Sequence, residues 1–408
     1  MKDGQFRLYG YRWVVLAVFM FINLSIQILW ISYASITGPA AEFYGVTDLQ
    51  IGLLAMSFMI VFIPLSLPVS WVIDTQGFRK AVSIGAVLMG LFGITRGLAG
   101  DNYTLVLLST LGIAIAQPFL LNAWTTVPAK WFSIDGRATA VGLVTLSNLV
   151  GTAVGLVLTP ILVEEMDVAI PTVQLFYGAI AAFSAVLFII LAREKPLTPP
   201  CPPGLEVRAL MLDGLKHALK VKSFILYLIV WFIGMGAFNG ITTWVEAIVR
   251  PKGITPTEAG SLGGLMLVGG LLGAVILPAI SDKYQNRRRY LLLGFSLAIP
   301  GLLGLAFAEQ FWLLLVSAFA FGFFLVGASP IGLQYATEIT FPTHEGTSNG
   351  LIQLCGQASV LVVFIMEIVS GADGSFTASL LITVILMLFS VLLISRMKDP
   401  PQPVAAAA

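Results

Sequence analysis

Twelve stretches of this chain are apolar over a length that matches a lipid bilayer. They run at about 12–36, 49–73, 80–100, 104–127, 138–163, 171–192, 223–249, 258–281, 289–308, 311–336, 347–370 and 376–395. Each is close to the ~20 residues that an α-helix needs to cross a hydrocarbon core. Backbone amides and carbonyls find no water there, so runs of this length satisfy them internally, as helices. The expected fold is an all-α integral membrane protein with twelve spans, numbered 1 to 12 in chain order. Only 11% of the 408 residues are Asp, Glu, Lys or Arg, against about a quarter in a soluble domain. The first run follows the charged segment MKDGQFRLYGYR and has no cleavage-like end, so it reads as a retained span rather than a signal peptide.

The chain also repeats itself. SWVIDTQGFRKAVSIG follows span 2, and PAISDKYQNRRRYLLLG follows span 8; Asp74 and Asp282 lie 208 residues apart. Each is followed by a basic cluster, Arg79 and Lys80 in one and Arg287, Arg288 and Arg289 in the other. FSIDGRATAVGL and FPTHEGTSNGLI echo at nearly the same offset, as do Pro118 and Pro330. The longest polar break, between spans 6 and 7, divides the chain into a bundle at 1–192, a linker at 193–222, a second bundle at 223–398 and a tail at 399–408 read as disordered. Within the linker, a proline-rich part precedes Leu212, Leu215 and Leu219, which with neighbouring lysines read as a short interfacial helix. Two pseudo-symmetric halves place a substrate between them, near mid-membrane. Gly151 and Gly155 in span 5, and the glycines of span 8, are read as a seam on which the halves move.

Lys and Arg set the orientation. With both termini cytoplasmic, all basic residues but Arg96, Arg250 and Lys252 fall on that side. Acidic residues such as Asp101, Glu164 and Asp167 fall on the other. The expected setting is a plasma or inner membrane. No Ser–His–Asp constellation, phosphate-cradling loop or metal spacing is present, so an enzyme is not expected, nor a cofactor or metal. The partners expected are a small-molecule substrate and the bilayer, with no nucleic acid, and the chain is read as a monomer.

Two six-span halves with a charged motif after spans 2 and 8 resemble the major facilitator superfamily over essentially the whole chain. Asp74, Gly77, Arg79 and Lys80 match its signature loop in shortened form. FYGV at Phe43 to Val46, DTQGFR from Asp74, AQPF from Ala116, NLVGTAVG from Asn148 and EITFPTHEGTSNGL from Glu338 resemble the branch of the feline leukaemia virus subgroup C receptor. That resemblance implies alternating-access transport of small organic cations such as choline and ethanolamine, with haem export also proposed for the family. It implies a ligand cage of an aromatic on span 1, glutamines on spans 4 and 11, and an aromatic on span 7. In this chain those positions fall on Trp30, Gln117, Gln357 and Asn239. Asn239 departs from the family pattern.

The residues carry their own argument. An aromatic face suits a quaternary ammonium, by about 0.5–2 kcal/mol per ring; Trp30 stands in a run broken by Gln27, Ser32 and Tyr33, or else packs on a neighbouring helix. Gln117 precedes Pro118, which frees a backbone carbonyl, and Asn122 follows one turn on; each is a ligand contact or an interhelical bond. In FNGITTWVE, Gly240 interrupts span 7, so Trp244 replaces the missing aromatic if the helix unwinds there. Glu246 and Glu367 are the possible cation or proton sites, with a solvated ion pair between Glu246 and Arg250 as the alternative. The charges near the repeated loops, Asp74, Asp135, Arg137, Asp282, Arg287, Glu338 and Glu345, are read as gate latches at helix N-termini, or as charges that only set topology. The central parts of the N-half spans lack Asp and Glu, which points to facilitated uniport. The alternatives are a proton-coupled carrier of another metabolite or drug, a haem exporter, and a receptor on a transporter scaffold.

Overall fold

The computed structural model describes residues 8–198, 200, 216–284, 286–340, 345–371 and 374–399. Among them are twelve helices long and apolar enough to cross a membrane, in the order and near the bounds expected from sequence. Most of the interfacial helix expected near Leu212–Lys222, Cys201 and the tail from 400 onwards lie outside the described residues.

Four spans are not single helices. Span 1 consists of α1 (Arg12–Ile31) and α2 (Thr37–Tyr44), joined through a tight turn at Ala34–Ile36. Spans 2 and 3 are α3 (Asp48–Gln76) and α4 (Phe78–Leu98). Span 4 breaks after Pro118 into α5 (Tyr103–Leu121) and α6 (Thr126–Trp131). Spans 5 and 6 are α7 (Ile134–Pro160) and α8 (Ile170–Leu191). Span 7 breaks at Trp244, between α9 (Lys222–Thr243) and α10 (Val245–Val249). Spans 8, 9 and 10 are α11 (Pro256–Tyr284), α12 (Arg287–Phe307) and α13 (Phe311–Ile339). Span 11 breaks at Ser359, between α14 (Glu345–Ala358) and α15 (Val360–Ile368), and span 12 is α16 (Thr377–Arg396).

The repeat shows in the helix ends. Thr47 and Gln50 form a capping box at the start of span 2, with Thr47 N–H donating to Gln50 Oε1 at 3.0 Å and Gln50 N–H to Thr47 Oγ1 at 3.3 Å. Thr255 and Glu258, 208 residues on, do the same for span 8, at 2.9 and 3.3 Å. Such reciprocal bonds satisfy two otherwise open amides. The breaks of spans 1 and 7 repeat as well, with an aromatic at each: Tyr33 and Trp244, 211 residues apart.

The chain divides into two compact units. One holds Met1–Val207 together with Thr242–Gly264; the other holds Arg208–Ile241 with Leu265–Ala408. The end of span 7 and the start of span 8 therefore group with the N-terminal spans rather than with the rest of their own helices. The N-terminal unit is centred on Phe19, Ile22, Phe58, Phe78, Met89, Tyr177 and Phe188. Gly93 and Gly178 bring spans 3 and 6 into backbone contact, the way small residues join helices in lipid.

The glycines expected to form one seam serve three different contacts. Gly151 and Gly155 of span 5 face Leu24 and Ile31 of span 1. Gly260, Gly263 and Gly264 at the start of span 8 face Leu156 and Val157 of span 5. Gly269 and Gly273, further along span 8, face Phe319 and Phe323 of span 10. Only the glycines at the start of span 8 meet span 5, because a helix turns its small face through successive neighbours along its length.

Candidate functional site

Span 1 carries the aromatic candidate. Trp30 is half-buried, one residue before α1 ends, and its indole N–H donates to the Ala55 carbonyl of α3 at 3.2 Å. The donor is thus occupied by backbone, and the half-buried ring packs against the hydrophobic core of the N-terminal unit. Gln27, one turn earlier, is buried, and its Oε1 has no hydrogen-bond donor among the described residues. Gln117 is 5% exposed, and its Oε1 is likewise without a donor. Asn148 on span 5 repeats the pattern at Oδ1. Gln27 lies against Gly151, one turn from Asn148 on the same face of α7. Three neutral amide oxygens on spans 1, 4 and 5 are therefore buried and open. Gln27 and Asn148 are visible in the sequence as polar interruptions, but nothing there shows that their partners are missing.

Other candidates are already engaged. Asn122 donates to Ser66 O at 2.9 Å and Ser70 Oγ at 3.0 Å, tying the break of span 4 to span 2. Tyr33 is buried, with its hydroxyl 3.1 Å from that of Tyr44. Span 7 breaks at Trp244 rather than at Gly240, the interruption expected from sequence, and the Trp244 indole is fully buried over Gly52 of α3, where any side chain would collide with the ring.

Glu246 is 1% exposed and holds three donors. Arg250 Nε reaches its Oε1 at 2.7 Å, Arg250 Nη2 its Oε2 at 2.6 Å, and the Gly38 amide its Oε2 at 3.1 Å. Arg250 Nη1 also pairs with Asp48 at 2.8 Å. The Glu246 hydrogen bonds, ahead of the opposing burial, push the Arg250 pKa above its ordinary value. The carboxylate also sits at the N-terminal turn of α2, where the helix dipole favours a negative charge. Trp244, Glu246 and Arg250 together clasp the end of span 7 onto spans 1 and 2. The pair is buried on its glutamate side rather than solvated.

In the C-terminal unit, Asn239 donates to Ser359 Oγ at 3.3 Å, at the break of span 11, and Ser359 donates in turn to Gly356 O at 2.6 Å. Gln357 is half-buried beside that break. Glu367 is half-buried in α15. Tyr227 and Trp231, one turn apart on span 7 with rings 6.1 Å apart, carry no signal in the sequence that singles them out.

The repeated loop ties each half to its own sixth helix. Gly77, at φ +88°, turns the chain so that the Phe78 and Arg79 amides reach Glu194, just past span 6, at 3.3 and 2.7 Å. Lys130 pairs with the same carboxylate, and Arg79 Nη2 reaches the Ile189 carbonyl at 3.4 Å. In the other half, Arg288 donates to the Ile394 and Ser395 carbonyls at the end of span 12, at 3.2 and 2.7 Å. Arg287 pairs with Asp282 and with Glu338. Arg137 closes the carbonyl end of α6 at Ala129 O, 2.9 Å away. Asp74 and Lys80 are exposed. The side chains of Asp135 and Glu345, expected in latches, lie outside the described ones. Glu194, which holds the signature loop, escapes a reading of the sequence because it stands in the polar linker, far from the motif along the chain.

The family profile described as Major Facilitator Superfamily matches residues 13–252 and 247–408. The choline/ethanolamine transporter flvcr2b of Danio rerio is 28% identical over 405 residues, 95% of this chain and 84% of the relative. Choline/ethanolamine transporter FLVCR2 of Homo sapiens is 28% identical over 375 residues, 87% and 71% of the two chains. FLVCR1 of Mus musculus, also named a choline/ethanolamine transporter, is 29% identical over 381 residues, 85% and 67%. Among solved structures, a bacterial homologue of the human lysosomal transporter Spinster, inward-facing and unoccupied, superposes with a TM-score of 0.75 at 17% identity, covering 98% of this chain and 100% of the other.

Proposed function

The chain belongs to the major facilitator superfamily and is a multi-pass membrane transporter rather than an enzyme, and from that premise we propose that it moves a small organic ammonium compound by alternating access. The observation that carries the proposal is the chemistry of the N-terminal unit: the Trp30 ring face together with open, buried amide oxygens at Gln27, Gln117 and Asn148. Every one of these groups attracts positive charge or a hydrogen-bond donor. An aromatic face favours a cation by about 0.5–2 kcal/mol, and a carbonyl oxygen accepts from an ammonium N–H or a hydroxyl. No fixed carboxylate is added, since Glu246 is bound to Arg250 and Gly38. A neutral site of this kind binds a cation weakly enough to let it go, which suits facilitated uniport. The relatives named choline/ethanolamine transporters point to the same class. In the C-terminal unit, Asn239 and Gln357 are the proposed contacts.

Haem fits these groups less well, because its propionates ask for donors. Proton coupling through Glu246 is also disfavoured, because that carboxylate is committed to Arg250 and the Gly38 amide. The test is a thermal-shift measurement on the purified protein with ethanolamine, choline and haem. Stabilisation should rise with ligand concentration by mass action, for ethanolamine and choline and not for haem, and in Trp30→Ala should need roughly 2- to 30-fold more ligand. Equal stabilisation of wild type and Trp30→Ala by the amines would place the binding elsewhere.

A further inference from the structure

Arg96 is a charge in the wrong place for a topology signal. It lies two residues before the end of span 3 and is 1% exposed, among the most buried large side chains of the chain. Among the described residues no carboxylate pairs with it. An intramembrane ionisable group is costly to keep without a role. Its contacts define what it holds. Nη1 donates to the Leu29 carbonyl at 2.8 Å, Nη2 donates to Gln174 Oε1 at 2.7 Å and to Ser32 Oγ at 3.3 Å, and the guanidinium carbon lies 5.5 Å from the centre of the Tyr33 ring. Ser32 itself donates to Gln174 Oε1 at 3.1 Å.

Three of those four partners, Leu29, Ser32 and Tyr33, sit where α1 stops and span 1 breaks. The last carbonyls of a helix have lost their intrahelical donors, and the negative end of its dipole favours a cation. In water those carbonyls would be hydrated; here, one arginine from span 3 supplies the donor, and Gln174 from span 6 holds the arginine. Pro39, in the first turn of α2, leaves the Ser35 carbonyl without a donor at the far edge of the break, but no proline or glycine stands between Leu29 and Tyr33, where α1 stops. Trp30 is inside the clamped segment, flanked by Leu29 and Ser32, with its indole N–H fixed to Ala55 on the other side. We propose that Arg96 is a positioning residue: it clamps the carbonyl end of α1, keeps span 1 broken at 32–33, and thereby fixes the Trp30 ring for the ammonium substrate. The positioning role rests on the reading of Trp30 given above; the clamp does not.

Arg96→Met separates the two. The unbranched apolar side chain fills much of the same volume and leaves no buried charge; the Leu29 carbonyl loses its donor, at about 1–3 kcal/mol, while Gln174 Oε1 keeps the Ser32 hydroxyl. The full chain is purified as wild type, Arg96→Met, Arg96→Lys, Trp30→Ala and the double variant Trp30→Ala/Arg96→Met. Hydrogen exchange is followed on peptides covering residues 29–38, and saturable ethanolamine uptake is measured in proteoliposomes. Expected are a melting temperature within a few degrees of wild type, exchange at 29–38 faster by tenfold or more in Arg96→Met, and a KM raised within the roughly 2- to 30-fold range of Trp30→Ala, with kcat changed less than threefold. Arg96→Lys, which reaches one carbonyl but cannot fork, falls between. The KM of the double variant equals that of Trp30→Ala, since Arg96 acts through the ring. Unchanged exchange at 29–38 in Arg96→Met overturns the clamp whatever the substrate. Additive KM losses overturn the positioning role. Uptake by Trp30→Ala equal to wild type instead sinks the reading of Trp30 and leaves the clamp to be judged by exchange alone.

Discussion

Gln117→Leu should weaken ethanolamine far more than choline, while leaving the empty protein as stable as before or more so. Gln117 is 5% exposed and its Oε1 has no donor among the described residues. An unsatisfied buried acceptor costs about 1–3 kcal/mol, and a hydrogen bond to a charged donor is worth about 1.5–3 kcal/mol. A primary ammonium offers N–H donors to this oxygen; a quaternary one offers only C–H groups, worth about 0.5–1 kcal/mol each. Removing the oxygen should therefore weaken ethanolamine by roughly 10- to 150-fold and choline by roughly 2- to 5-fold. The hydroxyl, common to both, cancels in the ratio. Without ligand, leucine removes an open acceptor, so the melting temperature holds or rises. Titration calorimetry on the purified protein and a ligand-free melt read both effects. An equal loss for the two amines, or no loss for either, refutes the role of the open oxygen. A ligand-free melt several degrees lower refutes it too, because the amide would then be making a structural bond.

Gly52→Leu puts a side chain where the Trp244 indole lies; overpacking of this kind costs about 1–3 kcal/mol, so a lower melting temperature is expected, partly restored by Trp244→Ala in the same chain. Glu246→Gln keeps one oxygen for the Gly38 amide and Arg250 Nη2, but sets an NH2 group against Arg250 Nε and removes the paired charge. Because Arg250 is 40% exposed, the loss should be about 2–3 kcal/mol, below the 3–5 of a fully buried pair, read as a lower unfolding midpoint. In proteoliposomes an imposed pH gradient should not drive uptake; gradient-driven uptake that disappears in Glu246→Gln would show that the carboxylate does carry a proton. Glu194→Gln weakens the cap on α4 and its pair with Lys130, costing about 1 kcal/mol and speeding hydrogen exchange at Phe78 and Arg79.

The spans are legible in the sequence because the bilayer leaves the backbone no other solution. Their number, order and rough bounds follow from apolar length alone, and the duplicated loops follow from residue identity. The breaks are less legible. Gly240 is the expected opening of span 7, and the helix opens at Trp244 instead; span 1 opens at Ser32 with no proline or glycine beside it. The signals are split: Pro39 removes the donor for the Ser35 carbonyl at the far edge of the break, and Arg96 from span 3 takes the Leu29 carbonyl at the near edge, although by charge placement alone it reads as one of the few basic residues on the outer side. Trp244 is a candidate ligand contact by sequence because nothing there shows that Gly52, 192 positions earlier, leaves a notch for it. Glu246 reads as a cation site until the fold brings the Gly38 amide to it. Side chains that commit to distant backbone are invisible to periodicity. So is an amide whose partner is missing: Gln117 stands out by resemblance and by its place before Pro118, Asn148 reads as an interhelical bond, and Gln27 reads only as a polar interruption of span 1.

Saturable uptake of radiolabelled ethanolamine into proteoliposomes, in wild type and in Trp30→Ala, tests the central claim most directly. Wild type should show saturable uptake that unlabelled choline competes for, and Trp30→Ala should raise its KM by roughly 2- to 30-fold while remaining folded and reconstituted to the same level. Absence of saturable uptake by wild type, or undiminished uptake by Trp30→Ala, would contradict the account.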